Sequence, residues 1–315
     1  MRYLLFILFL ISFQFRGEAQ LTYKNLYVDY DSAWQYKNLK LIPIRWKGSG
    51  TFDYPLNGNL IALGEAVRKG YVRISERGTA STDNVHWLIV ENLSRKNIFI
   101  ASGEIIAGGR QDRMVSRDTI MLSSQQRMQL PVMCVEEGRW SEKEKKFSYQ
   151  EMANLHLRRT LDRSRNQVMI WREIYDQLDK DKVKNASLAY AARKEDKKYL
   201  AAELEYWKYF EQKFKKSDST IVGVVCMSGK NVIGCDLFAS TSLFYSELPS
   251  LMVGYIHEAI VFGASVNITD AKVKSYLDKL LTDEVSQEAF IKEYGKAYRH
   301  NGKIIHITTY QIGER

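Results

Sequence analysis

Apolar and polar positions fall into short strand-like runs through the first third of the chain. Residues 39–46 are apolar and rich in β-formers, and 71–75, 85–91, 97–101, 113–122 and 128–136 repeat the pattern with β-branched residues. The short polar turns between these runs predict antiparallel pairing rather than βαβ units. One helix interrupts them: Asn59 is placed to cap residues 60–69, and Gly70 stands where helices end. From 147 to 214 neither proline nor glycine occurs, and the period becomes helical. Val168, Trp171, Ile174 and Leu178 make one stripe, and Leu200, Leu204, Trp207, Phe210 and Phe214 make another, each predicted to face a core.

Beyond this helical stretch, 221–227 and 232–238 read as a hairpin around Gly229-Lys230-Asn231. Residues 243–262 are helical in period, with Pro249 predicted to divide them into a short turn and a helix from Ser250. Thr269 is placed to cap a further helix, and 303–312 close the chain as a strand. The predicted class is α+β. It has a mostly antiparallel β part over 20–140, a helical insertion over 141–217 and a C-terminal hairpin with packed helices over 218–315, all in a single domain.

The first residues read differently. Arg2 precedes a 13-residue apolar run over 3–15, and Gly17-Glu18-Ala19 offers the small residues that a signal peptidase reads. The run is shorter than the roughly 18 residues a membrane span requires. No cysteine follows it for a lipid anchor, and no later segment is apolar enough to cross a bilayer. Residues 1–19 are therefore expected to be a signal peptide cleaved near Ala19-Gln20, with the mature chain periplasmic or secreted.

Composition adds limits. Hydrophobic residues at 45% and only 4 prolines fit a globular chain. The net charge of +9 includes an excess within 142–216, where bases and acids alternate at helical spacing. That interleaving describes a solvated face and argues against nucleic acid, which favours a cleaner basic stripe. Lys194, Lys197 and Lys198 are the bases to test for a protein partner. Cys134, Cys226 and Cys235 allow at most one internal disulfide. Cys226 and Cys235 face each other only if the hairpin loop is Lys230-Asn231; a Gly229-Lys230 loop puts them out of register, and three buried free thiols is the slightly favoured expectation.

Chemistry concentrates in two places. Residues 103–113 hold three glycines and four charges after a strong strand, and Gly108-Gly109 allows a tight turn close to a ligand. Arg110 and Arg113 have the fork for carboxylate or phosphate, and successive backbone N–H groups there suit an anion. The same segment also reads as a hairpin in which Glu104, Arg110 and Asp112 pair for structure. Residues 131–140 place Cys134 and Glu136 on one strand face before a Gly138 turn that carries Arg139 and Trp140. Cys134 reads as an ordinary buried cysteine. Glu104 with Glu136 forms a possible acid/base pair of the glycosidase kind, conditional on their separation. His86, His156, His257, His300 and His306 show no metal-ligand spacing, no Gly-x-Ser-x-Gly elbow occurs, and no cofactor is implied.

Gly103-Glu104 with Gly108 to Arg113, followed by Val132-x-Cys134-Val135-Glu136-x-Gly138-Arg139-Trp140, resembles a bacterial family, the ARG and rhodanese-phosphatase-superfamily-associated protein domain. Weaker matches at Glu65-Ala66 with Gly70, Gln167 with Trp171, Gly234-x-Asp236-x-Phe238 and Glu258-Ala259 extend the resemblance over nearly the whole mature chain. No reaction comes with it. The family's association with ADP-ribosylglycohydrolases and rhodanese-like phosphatases implies ADP-ribose, nucleotide or sugar-phosphate ligands. It also implies that Glu104, Arg110, Gln111, Arg113, Glu136 and Arg139 share one site with Gly108 and Gly109. The expectation is a small anionic, hydroxyl-rich ligand bound or processed in that Glu/Arg pocket. The alternatives are a non-enzymatic envelope protein with partner-binding basic helices and a hydrolase using Glu104 and Glu136.

Overall fold

The computed structural model describes residues 21–48, 59–79, 84–143, 145–214 and 218–310, so the expected leader lies outside the described residues. The α+β class is observed. The largest sheet joins the two ends of the chain. Its strands are β1 (Leu26–Val28), β2 (Trp34–Tyr36), β3 (Leu39–Trp46), β13 (Ile221–Ser228), β14 (Asn231–Phe238), β15 (Gly295–His300) and β16 (Lys303–Tyr310). Their order is β1-β3-β13-β14-β16-β15 with β2 beside β1 on the edge of β3, and all pairs are antiparallel. Every residue of β13 is buried, because helices cover both faces.

On one face Leu41, Val224, Cys226 and Phe238 meet α5 (Thr241–Val261) and α4 (Lys197–Glu211) through Phe244, Tyr255 and Phe210. On the other, Ile44, Val225, Cys235 and Ile307 meet α6 (Asp270–Leu281) and α7 (Glu284–Tyr294) through Leu277 and Phe290. Each such aliphatic or aromatic side chain contributes about 1.5–3 kcal/mol on burial.

The remaining strands are β4 (Leu60–Ala62), β5 (Val72–Glu76), β6 (Trp87–Asn92), β7 (Asn97–Ile100), β8 (Glu104–Gly109), β9 (Arg113–Val115), β10 (Thr119–Met121), β11 (Arg127–Cys134) and β12 (Lys145–Met152). They form a small sheet, β10-β7-β4, and a longer one, β12-β8-β9-β11-β6-β5. Ile106, Val115 and Val132 face the core shared with α1 (Leu63–Arg68). Ile105, Met114 and Val135 face α2 (Leu155–Ser164) and α3 (Gln167–Lys180).

Several expectations are corrected. The helix expected over 60–69 begins only at Leu63: Leu60 to Ala62 pair parallel with β7, and Asn59 donates its amide to Arg95 O instead of capping. The helical stretch begins at Leu155, since 145–152 run as β12 along β8. Both helical stripes are rotated. Val168 is 65% exposed and Leu204 51% exposed, while Ile170, Gln177, Tyr199 and Tyr206 turn inward. Apolar residues run round more than half of each helix, and polar partners choose the face: Tyr206 Oη accepts from Asn38 N–H, and Gln177 bonds Asn154.

The 113–122 run divides into β9 and β10, which lie in different sheets. Pro249 does not break α5, whose flanking Leu248, Ser250 and Leu251 are buried; packing on both sides holds the helix past one missing amide donor. Thr269 stands at the α6 cap position but its side chain makes no capping bond. The hairpin loop is Gly229-Lys230, with Ser228 opposite Asn231. A β-bulge between Cys226 and Met227 then sets Cys226 opposite Gly234 and Cys235 opposite Val225, so the two point to opposite faces, and all three cysteines are free and buried. No helix among the described residues is long and apolar enough to cross a membrane.

Candidate functional site

The glycines at the end of β8 are required by close approach. Gly108 and Gly109 have φ of +116° and +50°, and a Cβ on Gly109 would collide with the Phe147 ring. Arg139 clamps the resulting turn. Its Nη2 donates to Gly108 O at 3.2 Å and Asp112 Oδ1 at 2.9 Å, its Nη1 to Arg110 O at 3.3 Å, and its Nε to Glu136 Oε2 at 2.6 Å. Asp112 Oδ1 also accepts the Gly108 N–H, and Glu136 Oε2 accepts the Asp112 N–H. Gln111 donates to Glu136 O.

Arg110 lies on the far side of the turn. Its N–H meets Glu76 Oε1 at 2.6 Å, its guanidinium donates to Ser141 O and Glu142 O, and Trp140 stands 6.0 Å from it. Arg113 is fully buried, 3.7 Å from Glu76 and in reach of Gln111 Oε1. Gln167 grips Cys134 by both backbone groups, at 2.8 and 2.7 Å. Thus Gly108, Gly109, Arg110, Gln111, Arg113, Glu136 and Arg139 do converge, but as a lock in which the Arg110 and Arg139 guanidinium groups meet protein acceptors and the buried Arg113 is held 3.7 Å from Glu76.

Glu104 belongs elsewhere. It and Glu136 are separated by two strand steps and four residues of register, roughly 15 Å between Cα atoms at sheet spacings, and their carboxylates have different partners. The expected acid/base pair is therefore not assembled. Glu104 is fully buried and accepts the Ala101 N–H at 2.8 Å; burial, reinforced by the charge of Asp118, pushes its carboxyl up to about 8. Burial and the neighbouring Glu104 also push Glu247 of α5 well above the usual carboxyl range.

Around them runs an interior charged network that sequence reasoning did not assemble. Arg158 of α2 grips Asp236 with two bonds of 3.1 and 2.7 Å and donates to Thr308. His306 Nε2 lies 2.9 Å from Asp236, and Lys296 Nζ lies 2.9 Å from Asp118 and 3.3 Å from Asp162. Burial raises Asp118 and Asp236, yet their cationic partners hold both well below the carboxylate range. Gly103, at φ +93°, leaves room for Arg158, whose Cγ a Cβ there would approach to 2.8 Å. The Gly234-x-Asp236-x-Phe238 match was the only sequence signal for this network, because its members come from five separated elements.

A cavity of about 740 Å³ lies between α6 and α7, where Lys279 lines it with Asp278 and Glu293, and two smaller ones flank the β13–β14 turn. On one side a cavity of about 400 Å³ is lined by His156, Glu258, Asn231, Asn267 and Lys230. On the other, a cavity of about 270 Å³ is lined by Lys230, Asn231, Lys272, Lys279, Tyr276 and Tyr294, with no carboxylate among its lining residues. Lys230, Lys272 and Lys279 are exposed and make no ion pair among the described residues. No group of three or more His, Cys, Asp or Glu residues suited to a metal occurs among the described residues.

Residues 27–310 match the model of the family described as the ARG and Rhodanese-Phosphatase-superfamily-associated Protein domain. No curated protein and no solved structure matches the chain.

Proposed function

The chain belongs to that family, and on this premise we propose that it binds a small anionic, hydroxyl-rich ligand such as a sugar phosphate at the β13–β14 turn. The observation that carries the reading is the cavity lined by Lys230, Lys272 and Lys279 with no carboxylate in its own lining. Three cations lining one small cavity attract an anion. Tyr276, Tyr294 and Asn231 add a flat apolar surface and polar groups suited to a hydroxylated body. In the Gly/Arg turn expected to hold the ligand, Arg110 and Arg139 are engaged by protein acceptors and Arg113 is fully buried beside Glu76, so the proposal moves the anion from them to the lysines.

Thermal unfolding with ribose 5-phosphate, ribose and inorganic phosphate tests this. Ribose 5-phosphate and phosphate should raise the melting temperature, ribose should not, and Lys272→Ala with Lys279→Ala should remove the effect. At a hundredfold excess over the dissociation constant the stabilisation is about 2.7 kcal/mol. A shift that survives the lysine changes, or no shift with either phosphate, overturns the proposal. We also propose export, tested by N-terminal sequencing: a mature terminus at Gln20 in the periplasm or medium supports it, and cytoplasmic protein that retains Met1 removes it.

A further inference from the structure

We infer that His156 and Glu258 form an acid–base centre beside the lysine-lined cavity, acting on a phosphate ester. The inference rests on the anion reading above. His156 Nδ1 lies 2.5 Å from Glu258 Oε1, and Glu258 Oε2 accepts the His156 backbone N–H at 3.2 Å. This grip at two points, from α5 onto the first turn of α2, fixes the ring; Phe262 stacks on it with centroids 3.8 Å apart. With Nδ1 donating to the carboxylate, Nε2 carries the lone pair. That atom has no partner among the described residues, and His156 lines the 400 Å³ cavity.

The other two buried histidines differ. His257 meets Tyr190 through Nδ1 and Arg193 through Nε2, and His306 lies between Asp236 and Asp118. Each is enclosed by protein groups on both ring nitrogens, whereas His156 keeps one nitrogen for a ligand. Lys230 and Asn231 line both cavities, and in the one that His156 lines the exposed Lys230 supplies the ammonium group that holds the phosphate of an ester near Nε2.

In the step, Nε2 takes a proton from water as the water oxygen bonds to phosphorus. The bond from phosphorus to the ester oxygen breaks, with its electron pair leaving on that oxygen. The imidazolium returns the proton there, giving an alcohol and inorganic phosphate. Glu258 is a positioning residue that holds the ring.

Hydrolysis of 4-nitrophenyl phosphate tests the assignment, alongside the melting temperature and phosphate-induced shift of every variant. Wild type should turn over the ester. His156→Gln and His156→Asn should each lower kcat by about 10²–10⁴-fold while phosphate binding persists. Glu258→Gln should lower kcat with KM unchanged, and Lys230→Ala should raise KM. Wild-type protein that binds phosphate but does not cleave the ester overturns the centre and leaves the anion site standing, as does turnover unaffected by both His156 changes. Loss of phosphate binding in the wild type removes both.

Discussion

Glu104 shows how little of a residue's role its motif reveals. The sequence marks it as an acid beside glycines; the structure makes it a fully buried carboxyl whose charge acts on Glu247. Glu104 Oε1 and both carboxylate oxygens of Glu247 have no hydrogen-bond partner among the described residues. The folded state therefore favours the protonated acid. Because the Glu104 pKa is raised from its ordinary 4.5 to about 8, its contribution to stability is present at low pH and is lost as pH rises through that window. Each group titrating this way weakens the fold by roughly 1.4 kcal/mol per pH unit. Melting temperatures from pH 5 to 8 should fall in the wild type and fall less in Glu104→Gln, which carries no charge at either end. Parallel curves would show that Glu104 ionises no differently in the folded and unfolded chain. The arginines of the motif were legible as fork-bearing groups, but not their partners, since Glu76 and the 141–142 carbonyls are remote in sequence.

At the level of elements, strands were read more securely than helices. β3, β13 and β14 are continuous apolar runs, and burial on both faces leaves such a run few alternatives. β12 was missed because Lys145-Lys146-Phe147-Ser148-Tyr149-Gln150 looks like a polar helix until β8 supplies its ladder. The faces of α3 and α4 were ambiguous because both helices carry more apolar residues than one side can bury. The β8–β9 turn gives a prediction at this scale. Arg139 joins two carboxylates and three carbonyls of one turn while only 21% exposed, so Arg139→Ala should destabilise by about 2–4 kcal/mol. Arg139→Lys should recover little, since one ammonium cannot reproduce the fork. Urea unfolding measures the loss, and the phosphate-induced shift should persist in whatever fraction stays folded. If Arg139→Ala leaves stability intact but abolishes that shift, the turn is the ligand site after all.

Across the whole molecule, the charged network joins parts of the chain that no local pattern connects. Asp236 stands on the large sheet between Arg158 of α2, His306 of β16 and Tyr255 of α5. Through Asp118, Lys296 and Ser102 the network continues to the segments flanking β8 and β10. Motif residues Gly103 and Asp236 thus serve one arrangement, the first leaving room for Arg158 and the second pairing with it. Asp236→Asn keeps the side-chain shape but removes the charge that balances Arg158 and the raised His306, whose imidazolium Asp118 and Asp236 favour against its burial. Leaving buried cations uncompensated costs about 3–5 kcal/mol, which urea denaturation at pH 7 should register. The pH dependence has the opposite sign to that of Glu104. A carboxylate whose pKa is lowered in the folded state adds stability above its unfolded value and loses it as pH falls toward the folded one. Wild type should therefore weaken steeply below about pH 4, and Asp236→Asn should lose part of that slope. A variant as stable as wild type at pH 7, with an unchanged acid limb, would mean that Arg158 and His306 find other counterions and that the network does not hold the sheets together.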